Sequence, residues 1–158
     1  MLILGIDPGL KASGVAIIDH NYTVKFSETL YTEAGSLGER LNVIYEGISK
    51  VLDDWNPDVV VIESTIYYRN VKTALTLGAV RGTFLLAVAQ RGIEVAEISP
   101  TKVKVSLTGQ GRAKKKQVAY MVKNLVKLNR DLTEHEFDAV GVCIAYLRSL
   151  KNALRLRR

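Results

Sequence analysis

The run Val59-Val60-Val61-Ile62 constrains this chain more than any other feature. Four β-branched residues in succession, with no polar alternation, read as a strand buried on both faces. Such strands belong to parallel sheets, whose neighbours are reached through a crossover of a dozen or more residues. Leu37, Leu41, Ile44, Tyr45, Ile48 and Val51/Leu52 repeat at helical spacing just upstream, and Pro57 in Trp55-Asn56-Pro57-Asp58 cannot continue a helix. A crossover helix followed by a buried parallel strand is the expectation.

The remaining elements follow from the same rules. Leu2 to Ile6 is a short apolar run, and Ser13 to Ile18 follows the turn Asp7-Pro8-Gly9-Leu10-Lys11; Thr23 to Tyr31 alternates more loosely. These three predict an antiparallel meander. A helix from about Asn70 to Gln90 and a strand from Ile93 to Ile98 come after the crossover. Ser99-Pro100-Thr101 places an N-cap before Pro at the first helical position, opening a short helix. Thr108-Gly109-Gln110-Gly111 reads as a loop, Ala113 to about Leu128 as a basic helix, and Thr133-Glu134-His135-Glu136 as a capping box opening a last helix to about Leu150. The order predicts an α/β fold with a mixed five-stranded sheet flanked by helices.

At 158 residues and 47% hydrophobic, the chain has the size and apolar content of one domain, with residues 151–158 expected as a short basic tail. The opening MLILGIDPGL has no basic flank and too short an apolar run for a secretory leader, and Phe84 to Ala89 is far below membrane-spanning length, so a soluble cytoplasmic protein is expected. The lone Cys143 has no partner for an internal disulfide and reads as a small buried hydrophobe. Charge is segregated: residues 1–98 hold 8 Lys/Arg against 12 Asp/Glu, while residues 99–158 hold 14 against 4. A field of that kind attracts polyanions and suggests nucleic acid, although a membrane surface or an acidic protein partner also fits.

Two carboxylates stand where buried strands stop: Asp7 ends Leu2–Ile6 and Glu63 ends Val59–Ile62. Alone, each reads as a turn cap or a strand end facing water. Together in one short chain they converge on one sheet edge if their strands are neighbours, and their mutual repulsion calls for a compensating cation. His135 and Asp138, three apart in the last helix, share a face of its first turns, with Phe137, Val140, Ile144 and Leu147 as the docking stripe. Glu134, four residues before Asp138, competes with His135 for the same role.

Gly5-Ile6-Asp7-Pro8-Gly9, Val61-Ile62-Glu63, Leu77-Gly78-Ala79-Val80-Arg81-Gly82 and Phe137-Asp138-Ala139 occur in the order in which the RuvC Holliday-junction resolvases carry such motifs, and the chain resembles that family over almost its whole length. The resemblance implies an RNase H-like fold, a homodimer, and metal-dependent paired nicking of four-way junction DNA that leaves 5′-phosphate and 3′-hydroxyl ends. It assigns Asp7, Glu63 and Asp138 as catalytic carboxylates. The remaining acidic position of many members falls on His135, a departure that bears on metal preference. The implied cofactor is Mg²⁺ or Mn²⁺, two ions per active site, held by Asp7, Glu63, His135 and Asp138.

Two basic positions of the family match Lys104 and Lys115, expected to hold the scissile backbone and stabilise charge near the reacting phosphate. Arg112, Lys114 and Lys116 flank the second of these as further DNA-binding candidates, although Lys114 and Lys116 read equally well as a solvated face. Where many members stack an aromatic on bases, this chain has Ile66 followed by Tyr67, Tyr68 and Arg69, and one tyrosine is expected to take over the stacking. Ala74, Gly78 and Gly82 make a small-residue strip at i, i+4, i+8, read as close packing either on the protein's own sheet or, by the resemblance, at a dimer interface. Branch-migration proteins are further implied partners, not identifiable from sequence. The competing readings are an actin-like ATPase, which needs a second copy of the opening motif, a related nuclease acting on structured RNA, and a junction-binding module without catalysis.

Overall fold

β1 (Leu2–Asp7) and β2 (Ala12–Asp19) pair antiparallel around the Pro8-Gly9 turn, and β2 pairs antiparallel with β3 (Val24–Tyr31), giving the expected meander. The computed structural model describes residues 1–64, 70–128 and 130–156. Helix α1 (Leu37–Trp55) crosses to β4 (Val59–Glu63), parallel to β1, and α2 (Val71–Ala89) crosses to β5 (Glu94–Ile98), parallel to β4. The five strands lie in the order β3-β2-β1-β4-β5. Helices α3 (Pro100–Thr108), α4 (Lys115–Leu125) and α5 (Glu134–Arg155) follow among the described residues.

Strand alternation divides the interior in two. Ile3, Ala16, Ile18, Val59 and Val61 form one core with α3, α4 and α5, whereas Leu4, Ile6, Val15, Ile17, Val60 and Ile62 form another with α1 and α2. Ile6 pairs with Ile62 across β1 and β4, so Asp7 and Glu63 are the next residues along two adjacent parallel strands. Both share the parity of Ile3 and Val61 and therefore face the α5 layer. A slip of one residue in either strand would send its carboxylate to the α1 side.

The helix ends follow their chemistry. Ser36 and Glu39 close a capping box on α1, and the helix stops at Asn56, whose left-handed backbone (φ 42°) precedes Pro57. Ser99 caps α3 with Pro100 in its first turn, and Gly109 (φ 77°) ends it. Helix α4 is shorter than the expected Ala113 to Leu128. It begins at Lys115, because Ala113 is held in a turn by the Gln110 carbonyl, and it ends at Leu125, because Lys127 leaves to bridge Thr23. Helix α5 is longer than expected: with no Gly or Pro to stop it after Leu150, it runs to Arg155, so the front of the expected 151–158 tail is helix, and Lys151 lies 4.5 Å from the Tyr22 ring centroid.

Helix α2 buries Val80, Phe84, Ala87 and Val88 and turns Val71, Leu75 and Leu86 to solvent, at 72%, 70% and 54% exposure. Ala74, Gly78 and Gly82 are on the outer side, and nothing lies within 4 Å of where a Cβ at Gly78 or Gly82 would be. The small-residue strip therefore does not pack on the protein's own sheet. By length and mean hydropathy this helix could cross a membrane, but its Phe84 face forms part of the sheet core.

Candidate active site

One cleft of about 250 Å³ is lined by Asp7, Glu63, His135, Asp138, Lys104 and Lys115, with Pro100, Val103 and Val118 as apolar walls. Each side chain arrives from a different local rule. Asp7 and Glu63 come from the carboxyl ends of β1 and β4. His135 and Asp138 come from the first turns of α5, one above the other. Lys104 projects from α3, and Lys115 is the first residue of α4.

Helix α5 reaches the sheet this closely because two strand positions lack a Cβ. A Cβ at Gly14 would lie inside the His135 carbonyl, and one at Gly5 inside the Ala139 carbonyl and against the Cys143 sulfur. The helix is thus seated in a notch across β1 and β2, with the Cys143 sulfur 3.7 Å from the Ile3 carbonyl and 3.6 Å from that of Ala16. Burial pushes the Cys143 thiol up, so it stays protonated.

A second device fixes the rotation of α5. Thr133 and Glu136 form the expected capping box: the Thr133 hydroxyl accepts from the Glu136 N–H, and Glu136 Oε2 accepts from the Thr133 N–H at 2.7 Å. Glu136 also does more than cap. It is only 2% exposed, and Arg130 donates to both its oxygens, at 2.5 and 3.2 Å, while reaching the Ser27 carbonyl on β3 at 2.6 Å. Thr133 bonds Thr29 of β3 at 2.6 Å. Nothing in the sequence marks Arg130, Ser27 or Thr29 as supports of the cleft, since their meeting depends on tertiary contact. Gly5 and Gly14, glycines inside strand patterns, carry the general signal of a close backbone approach.

The cleft holds more negative charge than its cations offset. Burial, then the nearby Asp138, raise the Asp7 carboxyl to about 6, against the pull of His135 and Lys115. Burial, then Asp7 and Asp138, raise Glu63 to about 7, although Lys104 works the other way. Asp138 is also raised by burial, with Lys115 opposing. His135 Nδ1 lies 3.4 Å from Asp7 Oδ2, and Lys115 Nζ lies 3.5 Å from Asp138 Oδ2. Glu134 points elsewhere: its exposed carboxylate is the acceptor for Lys115, which holds it below the usual carboxylate range.

Among the described residues no three His, Cys, Asp or Glu side chains stand together as a ready metal cage. The donor chemistry nonetheless fits a divalent cation. Three carboxylates and one imidazole converge, and neither Asp7 nor Glu63 has a Lys or Arg within ion-pair distance among the described residues. Arg112, Lys114 and Lys116 are exposed and outside the cleft lining. Ile66, Tyr67, Tyr68 and Arg69 lie outside the described residues.

A family model described as crossover junction endodeoxyribonuclease RuvC matches residues 3–146. The chain belongs to the RuvC family. The RuvC of Dictyoglomus thermophilum is 37% identical over 153 residues, covering 93% of this chain and 96% of that protein. The RuvC of Halorhodospira halophila is 39% identical over 153 residues, covering 93% and 91%. Thermus thermophilus RuvC in complex with Holliday junction substrate superposes with a TM-score of 0.90 at 26% identity, over 97% of this chain and 96% of that one. The sheet and its helices are accordingly an RNase H-like fold, as the resemblance implied. RuvC nucleases are metal-dependent.

Proposed function

We propose that this chain is a structure-selective endonuclease that resolves four-way DNA junctions by paired nicking, leaving 5′-phosphate and 3′-hydroxyl ends. The observation that carries the reading is the convergence of Asp7, Glu63, His135 and Asp138 in one cleft with Lys104 and Lys115, in a chain whose relatives are crossover junction endodeoxyribonucleases. Residues 1–158 act as one nuclease domain, in the compartment that holds the DNA, the cytoplasm.

Asp7, Glu63, His135 and Asp138 would hold Mg²⁺ or Mn²⁺, two ions per site, which when bound supply water activation and neutralisation of the leaving oxygen. The protein's own groups do the rest. The carboxylates, raised by burial, must shed protons to become ligands, so the neutral pH range is where the site becomes competent. His135 contributes only as the neutral imidazole. Lys104, beside Glu63, and Lys115, at the mouth, hold the backbone and stabilise charge on the reacting phosphate. Pro100, Val103 and Val118 exclude bulk water on one side. No covalent intermediate is needed.

Paired nicks require two cleft copies, and the outer face of α2 is the surface that supports a homodimer: Val71, Leu75 and Leu86 beside Gly78 and Gly82, an apolar strip that no part of the described chain covers. Ultracentrifugation at micromolar protein should give a dimer; a pure monomer removes that assignment. For the activity itself, a labelled four-way junction is incubated with Mn²⁺, with Mg²⁺ and with a chelator. Paired, ligase-sealable nicks in the metal arms alone are expected. Tight binding without nicking in any arm would favour the silent junction-binding module instead, and preference for a structured RNA would favour the RNA-directed nuclease.

A further inference from the structure

The first turn of α5 carries an acidic side chain that the nuclease chemistry leaves unused. Glu134 is the first residue of the helix, one turn before Asp138 and on the same face. Its carboxylate pairs with Lys115 Nζ, which also stands 3.5 Å from Asp138 Oδ2. Lys115 is thus bracketed by one carboxylate inside the cleft and one at its rim, and among the described residues it is the cation within ion-pair distance of Glu134.

We propose that Glu134 is a built-in stand-in for the substrate phosphate: it keeps Lys115 at the rim while DNA is absent and surrenders it to the phosphodiester when a strand enters. This rests on the reading of Lys115 as a backbone contact. The physical case has three parts. An ammonium facing the excess negative charge of this cleft is drawn inward onto Asp138, where it would occupy a cation ligand; a second carboxylate outside divides that attraction. Glu134 has the position for it, since it stands at the N-terminus of α5, where the helix favours a negative charge. The pair is also easily exchanged. Side-chain exposures of 69% and 64% leave it screened by water and weak, so a phosphate that is further held by Lys104 displaces it.

The exchange has a thermodynamic signature. While Lys115 is held by Glu134, part of the attraction that DNA gains is spent in breaking that pair. Removing the carboxylate without changing its shape should therefore tighten junction binding, and should do so more when Lys115 is present to be released. The test is a double-mutant cycle of wild type, Glu134→Gln, Lys115→Ala and the double variant, each binding a fluorescent four-way junction in a chelator, over a range of salt.

Glu134→Gln is expected to bind about two- to fivefold more tightly at low salt, with a salt slope steeper by up to about 0.9. In the Lys115→Ala background the same change should give less than half that gain. An equal gain in both backgrounds would mean that Glu134 merely repels the backbone, and no gain in either would mean an idle surface pair; both overturn the proposal. If Lys115→Ala itself leaves affinity, salt slope and single-turnover nicking in Mn²⁺ unchanged, the assignment of Lys115 fails first, a result separable from failure of the exchange.

Discussion

Glu136 and Glu63 are both glutamates placed at the junction between α5 and the sheet, and they meet opposite fates. Glu136 receives two bonds from Arg130 and one from the Thr133 N–H; burial pushes its carboxyl up, yet these partners bring it below the usual range. Glu63 lies beside Asp7 with no basic group at ion-pair distance among the described residues, and burial drives it up to about 7. One carboxylate is satisfied by the protein and fixes the helix. The other is left in want of a cation, which is how a binding site differs from a structural ion pair.

The comparison can be broken most decisively at Asp7. Asp7→Asn should lower junction nicking on the order of a thousandfold. The metal-free protein should nonetheless melt at a higher temperature at pH 8, because a buried, poorly compensated charge is gone. A variant that loses activity and stability together would mean that Asp7 is structural. Next in size is Glu136→Ala, which removes the capping bond to Thr133 and both Arg130 contacts and should cost about 1–3 kcal/mol in urea unfolding, because the Arg130 left behind is half exposed to water. Unchanged stability with lost nicking would reverse the roles assigned to the two glutamates.

The pH dependence of stability should separate the two clusters by sign. Asp7 and Glu63 have folded-state values near 6 and 7, above their ordinary values of 3.8 and 4.5. Folding therefore takes up protons at these groups. Their contribution is complete below about pH 4 and is lost as pH rises through 6 and 7, on the order of a few kcal/mol for the coupled pair. Glu136, with its lowered value, contributes above its ordinary pKa and loses that contribution as pH falls. In calorimetry without metal, Asp7→Asn/Glu63→Gln should flatten the decline between about pH 4 and about pH 7, and leave the acid limb in place; a decline of unchanged steepness would sink the assignment.

The smallest effect sharpens the metal side of the comparison. Mn²⁺ should support nicking at lower concentration than Mg²⁺, because imidazole suits the later metal better. His135→Ala should keep junction binding and lose at least about tenfold in rate, while His135→Asp should retain activity and shift toward Mg²⁺. Wild-type rates for His135→Ala in both metals would remove His135 from the ligand set.

Much of this was legible in the chain itself, for identifiable reasons. Strand runs that stop on Asp7 and Glu63 declare themselves because apolar periodicity ends abruptly, and parity then puts both on one face. The i, i+3 spacing of His135 and Asp138 carries through because the T-x-x-E box fixes where α5 begins. The T-x-x-E pattern also hides something: Glu136 reads as a cap, and its pairing with Arg130 depends on a chain reversal that no local pattern encodes. The ends of α4 and α5 differ from the expected bounds for a related reason. Helical periodicity says where a helix could run, whereas Lys127 is withdrawn by a strand partner and Lys151 is supported by the Tyr22 ring. The exposure of the Ala74, Gly78 and Gly82 strip was beyond reach of sequence, since small residues suit either a tight contact at home or one with another copy.

The notch at Gly5 and Gly14 bears on how such a protein can change over time. At these two strand positions a single methyl group collides with the backbone of α5, the helix that carries His135 and Asp138, so the nearest alternative residue already displaces one wall of the cleft. In an exhaustive mutational scan both positions should tolerate as little as the carboxylates they serve, although neither has a side chain with which to touch the DNA. Variation can accumulate along the exposed faces of α1 and α5 without moving the cleft, but the route through Gly5 and Gly14 is closed in every direction at once.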